Sequence, residues 1–231
     1  MKKNDWRGFI WTTKEPKLAE LQKILKKIFN EMWYYYDRYL KQAEDLPYWS
    51  TEMDLVGKIV MSAARLGYSA ALEFYPEKSG GEGRGDLWLF FPSKKDLIVE
   101  AKRDENISIK SELKTISDSA SWYLSDADKQ LQKYSRKLRS KPSWCASIYF
   151  AQIYIAETAI AGNYPEMVQK LLCKCKKIAK NPDNNISFFA HYFLKDKTKF
   201  HNKKFKYADS YYPGVAIFGR IRPIPAPSSL Q

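Results

Sequence analysis

Apolar residues recur at helical spacing in four segments of the chain. In the first, Thr12 and Glu15 have the spacing of a capping box, and the apolar positions that follow predict a long amphipathic helix from about Glu15 to Gln42. The other three helices are predicted from Ser50 or Thr51 to about Leu66, from about Ile116 to Leu138, and from Asn163 to Ala179. On the last of these, the inward positions are Val168, Leu171, Leu172, Cys175, Ile178 and Ala179.

Strands are predicted where apolar residues alternate with polar ones or form short runs. These segments are Tyr68–Tyr75, Asp86–Phe91, Asp96–Lys102, Trp144–Ala156 as one or two strands, Ile186–Leu194 and Val215–Ile221. The order helix, three strands, helix, strand, helix, strand indicates an α/β protein with a mixed central sheet flanked by helices, to which the first helix is added.

The chain divides into three predicted parts. Residues 1–47 form an N-terminal helical extension, residues 48–222 the core with its C-terminal elaboration, and residues 223–231 a Pro-rich tail. The run Trp33-Tyr34-Tyr35-Tyr36 wraps too far around the first helix for one face to bury it all. We expect it to pack against the core, with stacking on nucleic acid or contact in a homodimer as the alternatives.

The charge of the chain favours a polyanionic partner. Its 231 residues carry 39 Lys and Arg against 26 Asp and Glu, a formal net charge of +13. Such an excess suits nucleic acid or an anionic membrane surface. Between Lys170 and Lys206, lysines are dense, and in the second half of this segment they are interleaved with aromatic residues, which suits a nucleic-acid backbone with stacked bases. A solvated basic face is the alternative.

The sequence does not match the patterns of zinc sites, disulfide frameworks, membrane spans or nucleotide-binding loops. Three cysteines and two histidines match no structural zinc pattern and no disulfide framework, which favours a reducing compartment. No apolar segment is long enough for a signal peptide or a membrane span, so we expect a cytoplasmic protein without a membrane partner. The glycine-rich run Ser79–Gly85 lacks the Gly-x-Gly-x-x-Gly spacing of a dinucleotide-binding loop and the Lys-Ser/Thr ending of a phosphate-binding loop.

The hairpin expected between Gly85 and Lys102 carries the chemistry. Side chains alternate between the two faces of a strand. The apolar positions fall on one face of each strand: Leu87, Leu89 and Phe91 on the first, and Leu97, Val99 and Ala101 on the second. If these two faces are buried together, Asp86, Glu100 and Lys102 all lie on the opposite face.

In one register of this hairpin, Asp86 lies directly beside Glu100. Two adjacent carboxylates repel each other unless a cation lies between them, and Mg²⁺ binds one or two carboxylates while keeping several waters. Lys102 then lies within reach of a water or a phosphate oxygen, an arrangement that suits phosphodiester hydrolysis. An exposed polar face on an edge hairpin is the alternative.

These residues resemble the signature of the PD-(D/E)XK nuclease superfamily. Asp86 precedes an apolar strand and a turn, and Glu100-Ala101-Lys102 follows. Gly85 occupies the position of the motif's proline, which is not a metal ligand. The resemblance covers about Ser50 to Ala156 and implies a restriction-endonuclease-like fold.

The resemblance also implies roles for individual residues. Asp86, Glu100 and the backbone carbonyl of Ala101 would bind Mg²⁺, for which Mn²⁺ is a possible substitute. Glu52, near the start of the preceding helix, would contact the metal directly or through water, with Asp54 as the less favoured choice. Lys102 would position the attacking water.

The helix that follows resembles the Gln-x-x-x-Tyr motif of the RecB-like branch. Gln130 and Tyr134 are four residues apart and share one helical face. Gln130 would orient the lysine or a phosphate, and Tyr134 would support packing or touch the nucleic-acid backbone. Gln132 competes with Gln130 for this role.

The sequence thus predicts a Mg²⁺-dependent deoxyribonuclease, with single-stranded, duplex and branched DNA all open as substrates. Residues expected to contact DNA are Arg84, Lys94, Lys95, Tyr134, Lys199, Lys203 and Lys204. The alternatives are a catalytically inactive nucleic-acid-binding or assembly module on the same fold, and a nuclease that acts on RNA.

Overall fold

The structure is a computed structural model of the chain. It describes residues 6–42, 51–74, 85–92, 96–135, 143–159, 162–195, 206–207 and 209–224. The predicted loop 79–85 and the Pro-rich tail 223–231 lie largely outside these ranges.

Four helices and eight strands make up the described part of the chain. The helices are α1 (Ala19–Gln42), α2 (Glu52–Arg65), α3 (Leu113–Ser135) and α4 (Tyr164–Lys180). The strands are β1 (Arg7–Trp11), β2 (Ser69–Phe74), β3 (Gly85–Phe90), β4 (Leu97–Ser108), β5 (Trp144–Ala156), β6 (Phe188–Phe193), β7 (Lys206–Tyr207) and β8 (Ser210–Pro223).

All eight strands belong to one mixed sheet. Seven follow the order β1-β6-β8-β5-β4-β3-β2, and β7 pairs with β8 outside this path. β4 and β5 are parallel and are joined through α3, whereas the other neighbouring pairs are antiparallel. The prediction of an α/β chain with a mixed sheet and flanking helices is therefore confirmed, and residues 144–156 form a single strand.

The helices cover both faces of the sheet. On one face, Phe188 and Tyr192 of β6 contact Phe29 and Trp33 of α1 at ring-centroid distances of 5.4 and 5.6 Å, and α2 packs beside α1. On the other face, the ring of Tyr149 stacks on Tyr123 of α3 at 4.8 Å. α4 packs beside α3 and against β6 on this second face.

The aromatic run of α1 is used mainly inside the chain. Trp33 and Tyr36 are fully buried in the core, whereas Tyr34 stays about half exposed beside the guanidinium groups of Arg38 and Arg65. The expected packing against the core is thus observed. A homodimer through this helix stays a prediction.

The N-terminal segment differs from the sequence prediction in two respects. Residues 7–11 add an edge strand, β1, which was not predicted and which pairs with β6. The capping box of Thr12 with Glu15 is wrong, because Thr12 continues this strand pairing: its N–H donates to Ser187 O and its hydroxyl to Ile186 O. The helix begins instead after a short 3-10 turn at Pro16–Leu18.

β4 is longer than the segment that was predicted. It continues past Lys102 to Ser108 because β5 pairs with it along most of this length, across an irregularity between Asp104 and Ile107. β8 likewise begins before Val215, at Ser210. In the described ranges, no helix combines the length and the apolar character that crossing a membrane requires.

Candidate functional site

The β3–β4 hairpin has the register that the sequence analysis considered. Leu87 pairs with Val99, Trp88 with Ile98, and Leu89 with Leu97. The pairing ends at Leu87 and Val99, so Asp86 and Glu100 are the residues that follow the last pair on the two strands. The strand faces are also as expected. The apolar set that was predicted to be buried lies in the main core: Leu87, Leu89, Phe91, Leu97, Val99 and Ala101.

Glu100 and Lys102 lie on the sheet face that α3 covers. Ile98, two residues before Glu100, packs with Leu131 of α3, and side chains alternate along the strand. Lys102 Nζ lies 2.9 Å from Glu100 Oε1 and donates a hydrogen bond to it. The predicted proximity of Glu100 and Lys102 is therefore observed.

The side chain of Asp86, a residue of β3, lies at the edge of β4, just beyond the last residue pair that joins the two strands. The backbone N–H of Ala101 donates to Asp86 Oδ2 at 2.7 Å. The N–H and C=O of a residue in an extended strand point to the same side. The carbonyl of Ala101 therefore faces the edge at which the Asp86 carboxylate lies.

The start of α2 brings a third carboxylate to this edge. Thr51 and Asp54 form a capping box that begins the helix at Glu52. Glu52 Oε1 lies 4.0 Å from Lys102 Nζ, and the backbone N–H of Arg103 donates to the Glu52 carboxylate. Asp54, the alternative to Glu52, is exposed and is engaged in the cap, so Glu52 is the acidic residue of α2 that joins the cluster.

Burial decreases across this cluster from Glu100 towards Glu52. The side chains of Glu100, Lys102 and Glu52 are 2%, 16% and 36% exposed. Glu100 Oε2 is fully buried and has no hydrogen-bond partner among the described residues. The cluster therefore opens to solvent near Glu52, and its most buried oxygen is unsatisfied.

The environment makes Glu100 difficult to ionise. Burial, followed by the negative charges of Asp86 and Glu52, raises the pKa of Glu100 to about 8, although Lys102 acts in the opposite direction. Burial also raises the pKa of Glu52. Burial alone would lower the pKa of Lys102, but the surrounding carboxylates outweigh it and raise that pKa. Lys102 is thus a cation at neutral pH.

α3 places Gln130 and Gln132 differently. Gln130 is half-buried, and its side-chain amide donates to Asp126 Oδ2, one helical turn earlier, at 3.1 Å. Gln132 is exposed. Tyr134 belongs to α3, but its side chain lies outside what the structure describes.

The other predicted DNA contacts lie outside the described residues. They are Arg84, Lys94, Lys95, Lys199, Lys203 and Lys204. Their assignment stays a prediction from sequence.

The acidic residues at the edge of β4 are Glu52, Asp86 and Glu100. In the described ranges, no group of three or more His, Cys, Asp and Glu side chains is arranged to hold a metal ion. Glu52, Asp86 and Glu100 therefore do not form a ready three-carboxylate site. Two carboxylates, Asp86 and Glu100, with the carbonyl of Ala101 match the oxygen ligands of Mg²⁺, and the unsatisfied Glu100 Oε2 is the atom that such an ion would satisfy.

A second cluster of charged side chains, around Asp128, was not predicted from the sequence. Asp128 of α3 accepts from Ser147 Oγ at 2.5 Å and forms ion pairs with Arg220 at 2.6 Å and Arg222 at 2.8 Å. A signal for it exists in the sequence, because Asp128 is placed among the apolar positions of α3, between Leu124 and Leu131.

Comparisons of the chain with protein-family models, with curated proteins and with solved structures found no match in any of the three.

Proposed function

We propose that the chain is a Mg²⁺-dependent deoxyribonuclease of the PD-(D/E)XK type, with a restriction-endonuclease-like fold. The observation that carries this proposal is the cluster at the edge of β4, where Asp86, Glu100 and Lys102 meet. A helix, three antiparallel strands, a second helix and a parallel strand surround the cluster in the order that this superfamily uses.

Asp86, Glu100 and the carbonyl of Ala101 are the groups that would hold the cation. When bound there, a divalent cation supplies positive charge beside a phosphate and makes water a stronger acid. Burial and the charge of Asp86 disfavour the ionised form of Glu100. A cation bound nearby would stabilise that ionised form.

Lys102 is the residue that would act on the substrate. Glu100 holds its ammonium at 2.9 Å, and the surrounding carboxylates keep it protonated. A fixed ammonium donates hydrogen bonds to a phosphate oxygen or to the attacking water and stabilises the negative charge that develops on the phosphate. Glu52, at the solvent side of the cluster, would accept a hydrogen bond from that water.

One observation favours a second function, a DNA-binding module without catalysis. The acidic side chains of the cluster each have a role within the protein: Asp86 accepts from Ala101 N–H, Glu52 from Arg103 N–H, and Glu100 from Lys102. Carboxylates that close the free edge of a strand in this way stabilise the fold whether or not a metal binds.

Cleavage of labelled DNA tests the two functions. The protein is incubated with single-stranded, duplex and branched DNA, and with RNA of the same sequence, in Mg²⁺, Mn²⁺ or EDTA. We expect cleavage of DNA with Mg²⁺ or Mn²⁺ only, and we expect Glu100→Gln and Lys102→Met each to lower the rate by about 10²–10³-fold, the range found when one stabilising group is removed.

Glu112→Gln is the matched control, because it makes the same chemical change at an exposed glutamate at the start of α3. It should cut DNA at the wild-type rate. Cleavage in EDTA, or a Glu100→Gln protein as active as the wild type, would contradict the nuclease assignment. Binding of DNA without cleavage under any of these conditions would establish the second function.

A further inference from the structure

α4 presents a solvent-facing side that consists largely of lysine. Between Gln169 and Lys180, the positions that are not buried are Gln169, Lys170, Cys173, Lys174, Lys176, Lys177 and Lys180. No acidic residue occurs in this stretch, and the single acidic residue of the helix, Glu166, pairs with Lys170. We call the side formed by Lys170, Lys174, Lys176, Lys177 and Lys180 the α4 basic face.

The lysines of this face repel one another. Lys170 and Lys174, and Lys176 and Lys180, are four residues apart, and Lys174 and Lys177 are three apart. Like charges at these spacings are neighbours on the helix surface and destabilise it. Favourable interaction with the C-terminal end of the helix dipole accounts for lysines in the last turn. Lys170 and Lys174 lie outside that turn and are held by Glu166 and by the carbonyl of Ser111.

The α4 basic face belongs to the same layer as the candidate active site. α4 packs beside α3, and α3 covers the sheet face on which Glu100 and Lys102 lie. Lys174 Nζ also donates to Ser111 O, just before α3 begins, so the basic face adjoins α3. A polyanion bound on α4 therefore lies on the side of the sheet that carries Glu100 and Lys102, while Glu52, at which the cluster opens to solvent, belongs to α2.

A cavity adjoins the α4 basic face on one side. This cavity of about 630 Å³ lies between the end of α4 and the start of α3 and is lined by Glu112 and Asp118 as well as by Lys114. Lys177 of the basic face also lines this cavity, so its two acidic and two basic side chains balance in charge, and the excess of positive charge lies on the helix α4 itself.

We propose that the α4 basic face binds the phosphate backbone of DNA, on the side of the sheet that carries Glu100 and Lys102. Only the choice of DNA as the polyanion rests on the proposed function. Binding by α4 requires neither a metal nor catalysis.

Two triple variants with equal change of charge test the proposal. The first is Lys176→Gln, Lys177→Gln and Lys180→Gln on α4. The control is Lys23→Gln, Lys26→Gln and Lys27→Gln, three exposed lysines of similar spacing on α1, which lies on the opposite face of the sheet. Binding of a fluorescein-labelled single-stranded DNA of about 30 nucleotides is measured by anisotropy in EDTA over a range of salt concentrations.

We expect the α4 variant to bind at least tenfold more weakly at about 0.1 M salt. The slope of log K against log [salt] should become shallower by about 0.7 for each phosphate contact that is lost. The α1 variant should keep the wild-type affinity and slope. Equal affinities for the two variants, or no binding by the wild type, would overturn the proposal. Tight α4-dependent binding of the matching RNA with none of DNA would overturn the choice of DNA.

Acetylation of the wild-type protein gives a second measurement that needs no variant to fold. Bound DNA should protect Lys176, Lys177 and Lys180 from an amine-reactive acetylating reagent, read by mass spectrometry, and should leave Lys23, Lys26 and Lys27 reactive. Equal protection on the two helices would contradict the proposal. If DNA is bound through α4 but is never cut, the nuclease proposal fails while this inference stands.

Discussion

Two clusters of charged side chains lie on the same face of the sheet, and they differ in the balance of charge. Asp128 is a single carboxylate held by two arginines and the hydroxyl of Ser147. At the edge of β4, three carboxylates surround Lys102, and one oxygen of Glu100 is buried without a partner. The first cluster is satisfied within the protein, whereas the second carries excess negative charge.

This difference separates a structural ion pair from a candidate active site. A buried charge whose neighbours already neutralise it has nothing to gain from a ligand. A buried carboxylate with a raised pKa and an unsatisfied oxygen is stabilised by any added cation, which is the condition expected at a functional site. Substitution of one acid in each cluster should therefore have opposite consequences.

The largest effect is expected from Asp128→Asn. The amide keeps the size of the side chain but leaves Arg220 and Arg222 without a counter-charge, and Arg220 is almost fully buried. We expect the free energy of unfolding to fall by about 3 kcal/mol, as when one partner of a buried ion pair is removed. Urea denaturation followed by tryptophan fluorescence, in EDTA, measures it.

Glu100→Gln is the matched change in the other cluster. It removes a buried carboxylate that is poorly neutralised, so the free energy of unfolding should stay the same or rise while DNA cleavage is lost. Asp128→Asn should cut DNA at nearly the wild-type rate at temperatures where it is folded. If both variants lose the same stability, the two clusters do not differ in the way described above.

The next largest effect concerns how the free energy of unfolding depends on pH, which should reflect the ionisation of Glu100. The pKa of Glu100 is raised to about 8 by burial and by Asp86 and Glu52, against an ordinary value of 4.5. Between these two pH values, the folded state keeps a proton that the unfolded state has lost, so this residue makes stability fall as the pH rises from about 4.5 to about 8. Above pH 8 its contribution is constant.

Glu100→Gln cannot titrate at this position. In EDTA, the difference in unfolding free energy between the variant and the wild type should grow in favour of the variant across that window, by at most about 1.4 kcal/mol for each pH unit. Parallel pH profiles for the two proteins would show that Glu100 ionises normally in the folded state.

The apolar pattern predicted much of the fold because burial follows it directly. All six positions predicted to face inward on α4 are buried, and the alternation in β3 and β4 predicted which side chains enter the core. β1 was missed because its five residues are too few for a pattern, and its partner β6 is far away in sequence. Such long-range pairing has no local signal.

The candidate site was predictable only in part for a similar reason. Strand alternation places Glu100 and Lys102 on one face, and the register places Asp86 next to them. The hydrogen bonds that fix the other members, from Ala101 N–H to Asp86 and from Arg103 N–H to Glu52, depend on where β3 stops pairing with β4. The ion pairs of Asp128 depend on β8, some 90 residues later in the chain.

The smallest expected effect concerns the choice between Gln130 and Gln132 on α3. Gln130 is half-buried and is tied to Asp126, whereas Gln132 is exposed. We expect Gln130→Ala to lower the rate of DNA cleavage about tenfold, the loss of roughly one hydrogen bond to the reacting groups, and Gln132→Ala to leave it unchanged.

If Gln130 acts by orienting Lys102, its substitution should have no further effect in a Lys102→Met protein, since the two changes then remove the same interaction. Additive losses in that double variant would instead assign Gln130 a separate contact with the substrate, and equal rates for both glutamine variants would remove α3 from the site.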